Sequence, residues 1–333
     1  MKVLVTGGAG FIGSHVCKAL AGAGDQPVVY DNLGHGCADA VRWGPLEIGD
    51  LGNRDRLDQV IRQHRPDAVM HFAGLIAVGE SVIKPGLYYR NNLADSLVLL
   101  EAVRDHGIGM FVFSSTAAVY GVPETVPIPE QHRTQPVNPY GATKLAMEWM
   151  LADFGAAHGV RSVCLRYFNA AGADPDGDLG ERHDPETHAL PLALMAALGR
   201  RDCFQIFGTD YDTPDGTAIR DYIHVADLAT AHVRALDRLR QGGDSSVFNL
   251  GTGRGTSVQE LVDSVARVTG RPVPVRRAPR RAGDPPVLIA APARALAGLN
   301  WRPVWTEFDR IVETAWLGLQ TVGIVPDPGE GEE

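Results

Sequence analysis

Cysteine is scarce in this chain, and its spacing rules out several chemistries. Cys17, Cys37, Cys164 and Cys203 are the only four, and no two form a CxxC pair. Neither a disulfide framework nor a zinc-thiolate site is suggested, and a reducing compartment fits best. No segment approaches the roughly 18 apolar residues needed to span a bilayer. The run from Met1 to Ile12 contains three glycines and no basic stretch followed by an apolar core, so no secretory leader is expected. Basic charge is short as well: 31 Lys+Arg stand against 40 Asp+Glu, a formal net charge of −9. With no basic stripe interleaved with aromatics, nucleic acid is not an expected partner. The motifs GxSxG and HExxH are missing, so neither of those hydrolytic chemistries is expected, nor any metal. These absences point to a cytoplasmic protein acting on a small molecule.

What is present is a long chain with a regular pattern. At 333 residues and 44% hydrophobic content, it can bury a large α/β core and a smaller appendage. Short apolar runs at Val3–Val5, Val28–Tyr30, Ala68–Phe72, Phe111–Phe113 and Val163–Tyr167 predict buried strands. They alternate with helical stretches such as Asn92–Arg104, where Leu93, Leu97 and Leu100 recur on one face. The pattern is that of an α/β fold with a doubly wound parallel sheet of Rossmann type. From about Ala170 it breaks into Gly-, Pro- and Asp-rich loops at Ala173–Pro185 and Gly208–Gly216. Asp227–Leu239 is again an amphipathic helix and Val247–Leu250 a strand. We therefore expect interleaved domains: 1–169 with about 222–255 as the dinucleotide domain, about 170–221 with 256–325 as a smaller lobe, and 326–333 as a disordered tail.

Strand Val3–Thr6 runs into Gly7, Gly10 and Gly13, followed by the helix-like Ser14–Ala23. Glycines at such a turn let backbone N–H groups and a helix N-terminus approach a pyrophosphate, although the spacing is GxxGxxG rather than GxGxxG. The second strand ends at Asp31, where a carboxylate can accept from a ribose 2′-OH and repel a 2′-phosphate, which favours NAD over NADP. Asp50 and Phe72-Ala73-Gly74 also fall at carboxyl ends of strands, where ligands bind such sheets. Tyr140 and Lys144 lie four residues apart on a predicted helix, hence on one face. A neighbouring cation brings a phenol toward the range useful for removing a proton from a sugar hydroxyl. Thr116, at the end of Phe113-Ser-Ser-Thr, could hold the same substrate oxygen.

Together, Thr6-Gly-Gly-Ala-Gly-Phe-Ile-Gly13, Tyr30-Asp-Asn-Leu33, His71-Phe-Ala-Gly-Leu75, Tyr88-Tyr-Arg-Asn-Asn92, Ser114-Ser-Thr116, Tyr140-Gly-Ala-Thr-Lys144, Arg166-Tyr-Phe-Asn169, Arg220-Asp-Tyr-Ile-His-Val225, Asn249-Leu-Gly-Thr-Gly253 and Arg280-Arg-Ala-Gly-Asp284 resemble the extended short-chain dehydrogenase/reductases. The third, seventh and eighth of these point to its UDP-hexose 4-epimerase branch. The likeness runs from residue 1 to about 320.

This resemblance implies bound NAD, a UDP-sugar substrate, a homodimer, and interconversion of UDP-glucose and UDP-galactose through a 4-keto intermediate. Thr116, Tyr140 and Lys144 would be catalytic. The cofactor would be held by Gly7, Gly10, Phe11, Ile12, Gly13, Asp31, Asn32, Leu33, Gly36, Asp50, Leu51, Phe72, Ala73, Gly74, Asn91, Ser114 and Phe168, with Tyr140 and Lys144. Substrate contacts would come from Asn169, His188, Ala189, Gln205, Phe207, Arg220, Arg281, Asp284 and Leu288, with Thr116 and Tyr140. Three positions depart from the family pattern. Ile76 replaces a frequent lysine, Thr187-His188-Ala189-Leu190-Pro191 replaces an Asn-Asn-Leu-Met-Pro run, and Leu288 stands where the sugar pocket has a tyrosine or a smaller residue. Leu288 suggests tolerance of N-acetylated hexosamines. A UDP-glucuronate 4-epimerase, a nucleotide-sugar dehydratase or reductase, and a non-catalytic NAD sensor are the alternatives. Ala117-Ala118 after Thr116 weighs against the dehydratase, which usually carries Asp-Glu there.

Overall fold

The computed structural model describes residues 1–281 and 283–321; the tail expected at 326–333 lies outside them. The chain opens with β1 (Lys2–Thr6), α1 (Phe11–Gly22), β2 (Gln26–Asp31), β3 (Leu46–Ile48), α2 (Arg54–His64) and β4 (Ala68–His71). Next come α3 (Val78–Ile83), α4 (Pro85–Tyr88), α5 (Asp95–Asp105), β5 (Met110–Thr116), α6 (Pro139–His158) and β6 (Arg161–Tyr167). The remainder is β7 (Asn169–Ala171), α7 (Ala189–Ala197), β8 (Phe204–Phe207), β9 (Ile219–Arg220), β10 (Tyr222–His224), α8 (Val225–Arg240), β11 (Ser246–Leu250), β12 (Thr256–Ser257), α9 (Val258–Thr269), β13 (Val275–Ala278), β14 (Val287–Leu288), α10 (Ala293–Gly298) and α11 (Phe308–Thr321).

Seven parallel strands in the order β11-β6-β5-β4-β1-β2-β3 form the main sheet. Strands such as β4 are buried along their whole length, as a sheet covered on both faces requires. On one face Val16 and Leu20 of α1 meet Leu228 and Leu236 of α8. On the other, Leu57 of α2, Leu99 of α5 and Met147 of α6 close the second core. Strand order reverses between β1 and β4, which opens a crevice at their carboxyl ends. A separate core packs α7, α9 and α11 around Leu194, Leu261 and Val312. No helix among the described residues is long and apolar enough to cross a membrane.

The doubly wound sheet and each strand predicted for it are present, and two helix details differ. Helix α1 begins at Phe11 rather than Ser14, because Gly10 already accepts from the Ser14 N–H at 3.0 Å. The stretch Asn92–Arg104 is not one regular helix: a π-helical turn at Tyr89–Ala94 precedes α5. Such turns carry one extra residue and cluster at functional sites. Here the buried Asn92 is tied to the backbone of Leu75, accepting from its N–H at 2.8 Å and donating to its carbonyl at 2.9 Å. The inward face of α5 is Ser96, Leu99, Leu100 and Val103, while Leu97 is 39% exposed.

One buried ion pair locks α6 to the sheet. Glu148 accepts from the Ser115 hydroxyl of β5 and from Arg166 of β6, with the Nε contact at 2.9 Å. Arg166 also donates to Tyr120 Oη at 3.0 Å, and Tyr120 donates to Asn249 of β11 at 2.7 Å. Both charged side chains are at most 7% exposed. Removing one partner strands the other's charge, so Glu148→Ala is expected to destabilise the fold by about 3–5 kcal/mol in denaturant unfolding. A loss under about 1 kcal/mol would show that the pair does not hold the helix.

Candidate active site

The expected cofactor residues converge on the β1/β4 crevice. Gly7 has φ of +73°, and a Cβ there would lie 2.4 Å from the Ala73 nitrogen, so two strand ends meet where only glycine fits. Phe11, Ile12 and Gly13 form the first turn of α1, whose N-terminus faces the crevice mouth. Asp31 is 8% exposed and accepts from the N–H groups of Ala9 at 3.0 Å and Leu33 at 2.9 Å. The loop carrying Asn32, Leu33 and Gly36 returns to the glycine turn, where Cys37 N–H donates to the Ala9 carbonyl at 3.0 Å. Asp50 and Leu51 follow β3, with the Asp50 carboxylate accepting from Asn32 at 3.1 Å. Phe72, Ala73 and Gly74 follow β4, and both Phe72 and Ala73 N–H groups donate to the Thr6 carbonyl. Ile76 is 40% exposed. The residues therefore suit a dinucleotide: a cradle that a Cβ would fill, a helix N-terminus, and a carboxylate at the end of β2.

Helix α6 carries the pair expected to be catalytic. Asn138 caps it by accepting from the Gly141 N–H at 2.8 Å, and Pro139 starts it. Gly141 is needed because a Cβ there would lie 2.6 Å from the Ala118 carbonyl, so the helix start rests on the backbone after Thr116. The Thr116 hydroxyl lies close enough to the Tyr140 phenol to influence its ionisation. The Lys144 Nζ donates to the Ser114 carbonyl at 3.0 Å and stands 5.0 Å over the Phe113 ring. Ser114 Oγ in turn pairs with Tyr167 Oη.

Burial sets the proton balance. It pushes the Tyr140 phenol up, opposed by the Thr116 hydroxyl, and pulls Lys144 down to about 8. Contrary to the simple expectation for a cation beside a phenol, the protein's own groups thus favour the neutral form of each. His71 is held neutral by burial, down to about 3. It bridges Thr6 Oγ1 at 2.7 Å and Ser96 Oγ at 3.0 Å under the crevice floor.

The predicted substrate residues divide into four groups. Asn169 starts β7 and pairs with Tyr222 of β10. His188 and Ala189 stand at the N-terminus of α7. Gln205 and Phe207 lie on β8, with the Arg281 guanidinium 3.9 Å over the Phe207 ring. Arg220 forms an ion pair with Asp284 and faces Leu288 in the β9/β14 register. Leu288 and Phe168 pack against Ala117, Tyr120 and Leu145 at the start of α6. Asn91 sits in the π-helical turn, but its neighbour Asn92 is the one fixed to Leu75. Sequence reasoning missed Tyr167, His71 and Glu148. Glu148 was detectable: it follows Lys144 by four residues and Tyr140 by eight, on the same helix face.

The fold and this pair define a Rossmann-type enzyme of the short-chain dehydrogenase/reductase kind. Residues 3–251 match the NAD dependent epimerase/dehydratase family. The chain is 55% identical over 315 residues to a UDP-glucose 4-epimerase of Rhizobium meliloti (strain 1021), covering 95% of this chain and 96% of the relative. It is 57% identical over 333 residues to one of Azospirillum brasilense, covering 98% and 96%. The crystal structure of the UDP-glucose 4-epimerase from Brucella ovis in complex with NAD is similar at a TM-score of 0.93 and 54% identity, covering 95% and 98%. The chain belongs to the NAD dependent epimerase/dehydratase family and uses NAD.

Proposed function

We propose that this chain is a UDP-hexose 4-epimerase that interconverts UDP-glucose and UDP-galactose. The observation that carries the reading is Tyr140, on the first turn of α6, whose phenol is influenced by the Thr116 hydroxyl at the end of β5 and which lies one helical turn from Lys144. Tyr140 takes the proton of the sugar 4-OH and later returns it, while Thr116 holds the same oxygen. Bound NAD supplies reversible hydride transfer at the adjacent carbon. Lys144, Asn91 and Phe168 orient the nicotinamide half, and Asp31 meets the adenosine ribose. Arg220, Arg281, Asn169 and Asp284 anchor the nucleotide diphosphate, where guanidinium geometry suits phosphate oxygens. That anchor does not depend on which sugar face is presented, so the ketone can turn without release. The glycine turn and sheet carry the cofactor, and the lobe of about 170–221 and 256–325 carries the nucleotide sugar.

Relatives named UDP-glucose 4-epimerase at 46–57% identity favour this reading over glucuronate epimerase, dehydratase, reductase or sensor. The free cysteines Cys17, Cys37, Cys164 and Cys203 accord with a cytoplasmic enzyme. Exposed Leu97 on α5 and Trp149 on α6, at 39% and 60%, support a homodimer through these adjacent helices.

Three measurements test these statements. In NMR assays on UDP-galactose, Tyr140→Phe is expected to lower kcat by about 10²- to 10⁴-fold, and unchanged turnover would overturn the mechanism. The shortness of Leu288 leads us to expect measurable turnover of UDP-N-acetylgalactosamine, lost in Leu288→Tyr while UDP-galactose is retained; undetectable turnover by the unaltered enzyme contradicts this. Sedimentation equilibrium is expected to give twice the chain mass of 35.7 kDa, and Trp149→Glu the single mass. A monomer in the unaltered protein removes the dimer.

A further inference from the structure

The segment between β7 and α7 carries a side-chain cluster that the proposed reaction does not use, apart from His188 at the edge of the expected substrate contacts. Glu181, His183, Glu186 and His188 each offer one ligand atom, all within 4.8 Å of one another. The Glu181 side chain is only 5% exposed. Its Oε1 touches His188 Nδ1 and lies 3.3 Å from His183 Nδ1, while Glu186 Oε2 lies 3.6 Å from the same nitrogen. The two imidazole rings meet edge to face, with centroids 5.0 Å apart. His183 Nδ1 is buried and makes no hydrogen bond.

A shared proton does not account for this grouping. It satisfies the Glu181–His188 contact, but a second proton on His183 would set two imidazolium rings edge to face, and Nδ1 of His183, at 3.3 and 3.6 Å from the carboxylates, would still make no hydrogen bond. A buried nitrogen without a hydrogen bond calls for another electrophile. Four donors around a tetrahedral zinc stand roughly 3.3 Å apart, close to the separations of His183 Nδ1 from both carboxylates, while the closer Glu181–His188 contact would open on binding. We propose that Glu181, His183, Glu186 and His188 form a four-ligand site for a divalent transition-metal cation, zinc by preference. The imidazoles exclude magnesium and calcium, which take oxygen ligands. Four protein ligands leave no open position, so the ion is structural. It pins residues 181–188 across the start of α1, where the His183 ring lies 6.3 Å from that of Phe11 and Arg182 donates to Cys37 Sγ at 3.2 Å.

A neighbouring acidic group shows the contrast. Asp174, Asp176 and Asp178 also converge, but Lys18 Nζ stands among them at 2.7, 2.8 and 2.8 Å. Their cation is supplied by the chain. Of the proposed ligands only His188 is also an expected substrate contact, and Glu181, His183 and Glu186 have no part in the proposed reaction.

The test uses the full-length protein with its NAD, cleared of metal with a chelator and titrated with Zn²⁺ by calorimetry, with bound metal counted by mass spectrometry. One ion per chain is expected. His183→Ala and Glu186→Gln should each weaken binding by more than about tenfold, as even loss of an outer-shell partner does. His158→Ala, on the exposed end of α6, should leave binding unchanged. Absence of stoichiometric binding, or equal binding by both ligand variants, overturns the site. Should either variant fail to fold, Co²⁺ in the unaltered protein decides. Intense tetrahedral d–d absorption supports the site, and a weak octahedral spectrum overturns it.

Discussion

A carboxylate that never meets substrate sets the geometry of the active site. Glu148 accepts from Ser115 and Arg166 inside the protein, and thereby fixes α6 to β5 and β6 at a point one turn beyond Lys144 and two beyond Tyr140. Ser115 lies between Ser114, which takes the Lys144 bond, and Thr116, which meets Tyr140. Three consecutive residues of one strand therefore receive three successive turns of one helix. A buried pair of this kind is expensive to desolvate and contributes little net stability compared with apolar packing. Its evident return is registry: the helix cannot slide by a residue without breaking a bidentate contact.

The second constraint is the approach of β1 and β4 at the point where strand order reverses. The Gly7 turn and the Ala73 backbone come so close that no side chain fits between them. The crevice walls are consequently backbone, and its polar lining is N–H groups and strand-end carboxylates. A pyrophosphate would find donors at the start of α1, and a ribose would find Asp31, itself held by two backbone N–H groups. Fold topology places the cofactor cradle, while the Glu148 pair places the reactive side chains beside it.

Much of this was legible in the residues. Buried strands of a parallel sheet read as continuous apolar runs, so the sheet followed from local pattern, and Tyr140 and Lys144 followed from helical spacing. Three features escaped for physical reasons. The π-helical turn before α5 depends on Asn92 binding Leu75, a contact across 17 residues that no periodicity announces. Its extra residue rotates α5, so that Leu97, which the apolar spacing grouped with Leu93 and Leu100, faces outward. Arg166 was read as part of a motif, and its buried bond to Glu148 joins β6 to α6 in a way that spacing alone does not encode. The Arg220–Asp284 pair joins positions 64 residues apart; the sequence marked both for one ligand, and the fold also gives them to each other.

The protonation of the reactive pair follows from the same burial. Taken with only its own neighbours, the protein keeps Tyr140 protonated and makes Lys144 a weaker base than a free lysine. An epimerisation returns every proton it removes, so a phenol fixed in either state would fail at one half of the cycle. A phenol buried beside the cofactor crevice, with only Thr116 to oppose burial, instead takes its ionisation from whatever charge stands next to it. Positive charge there favours phenolate, and its loss restores the phenol, since a low-dielectric site transmits that change with little screening. The Ser114 carbonyl and the Phe113 ring hold the Lys144 Nζ in place beside the phenol. Burial, which looks unfavourable for a base in isolation, is what couples the proton on Tyr140 to the charge beside it.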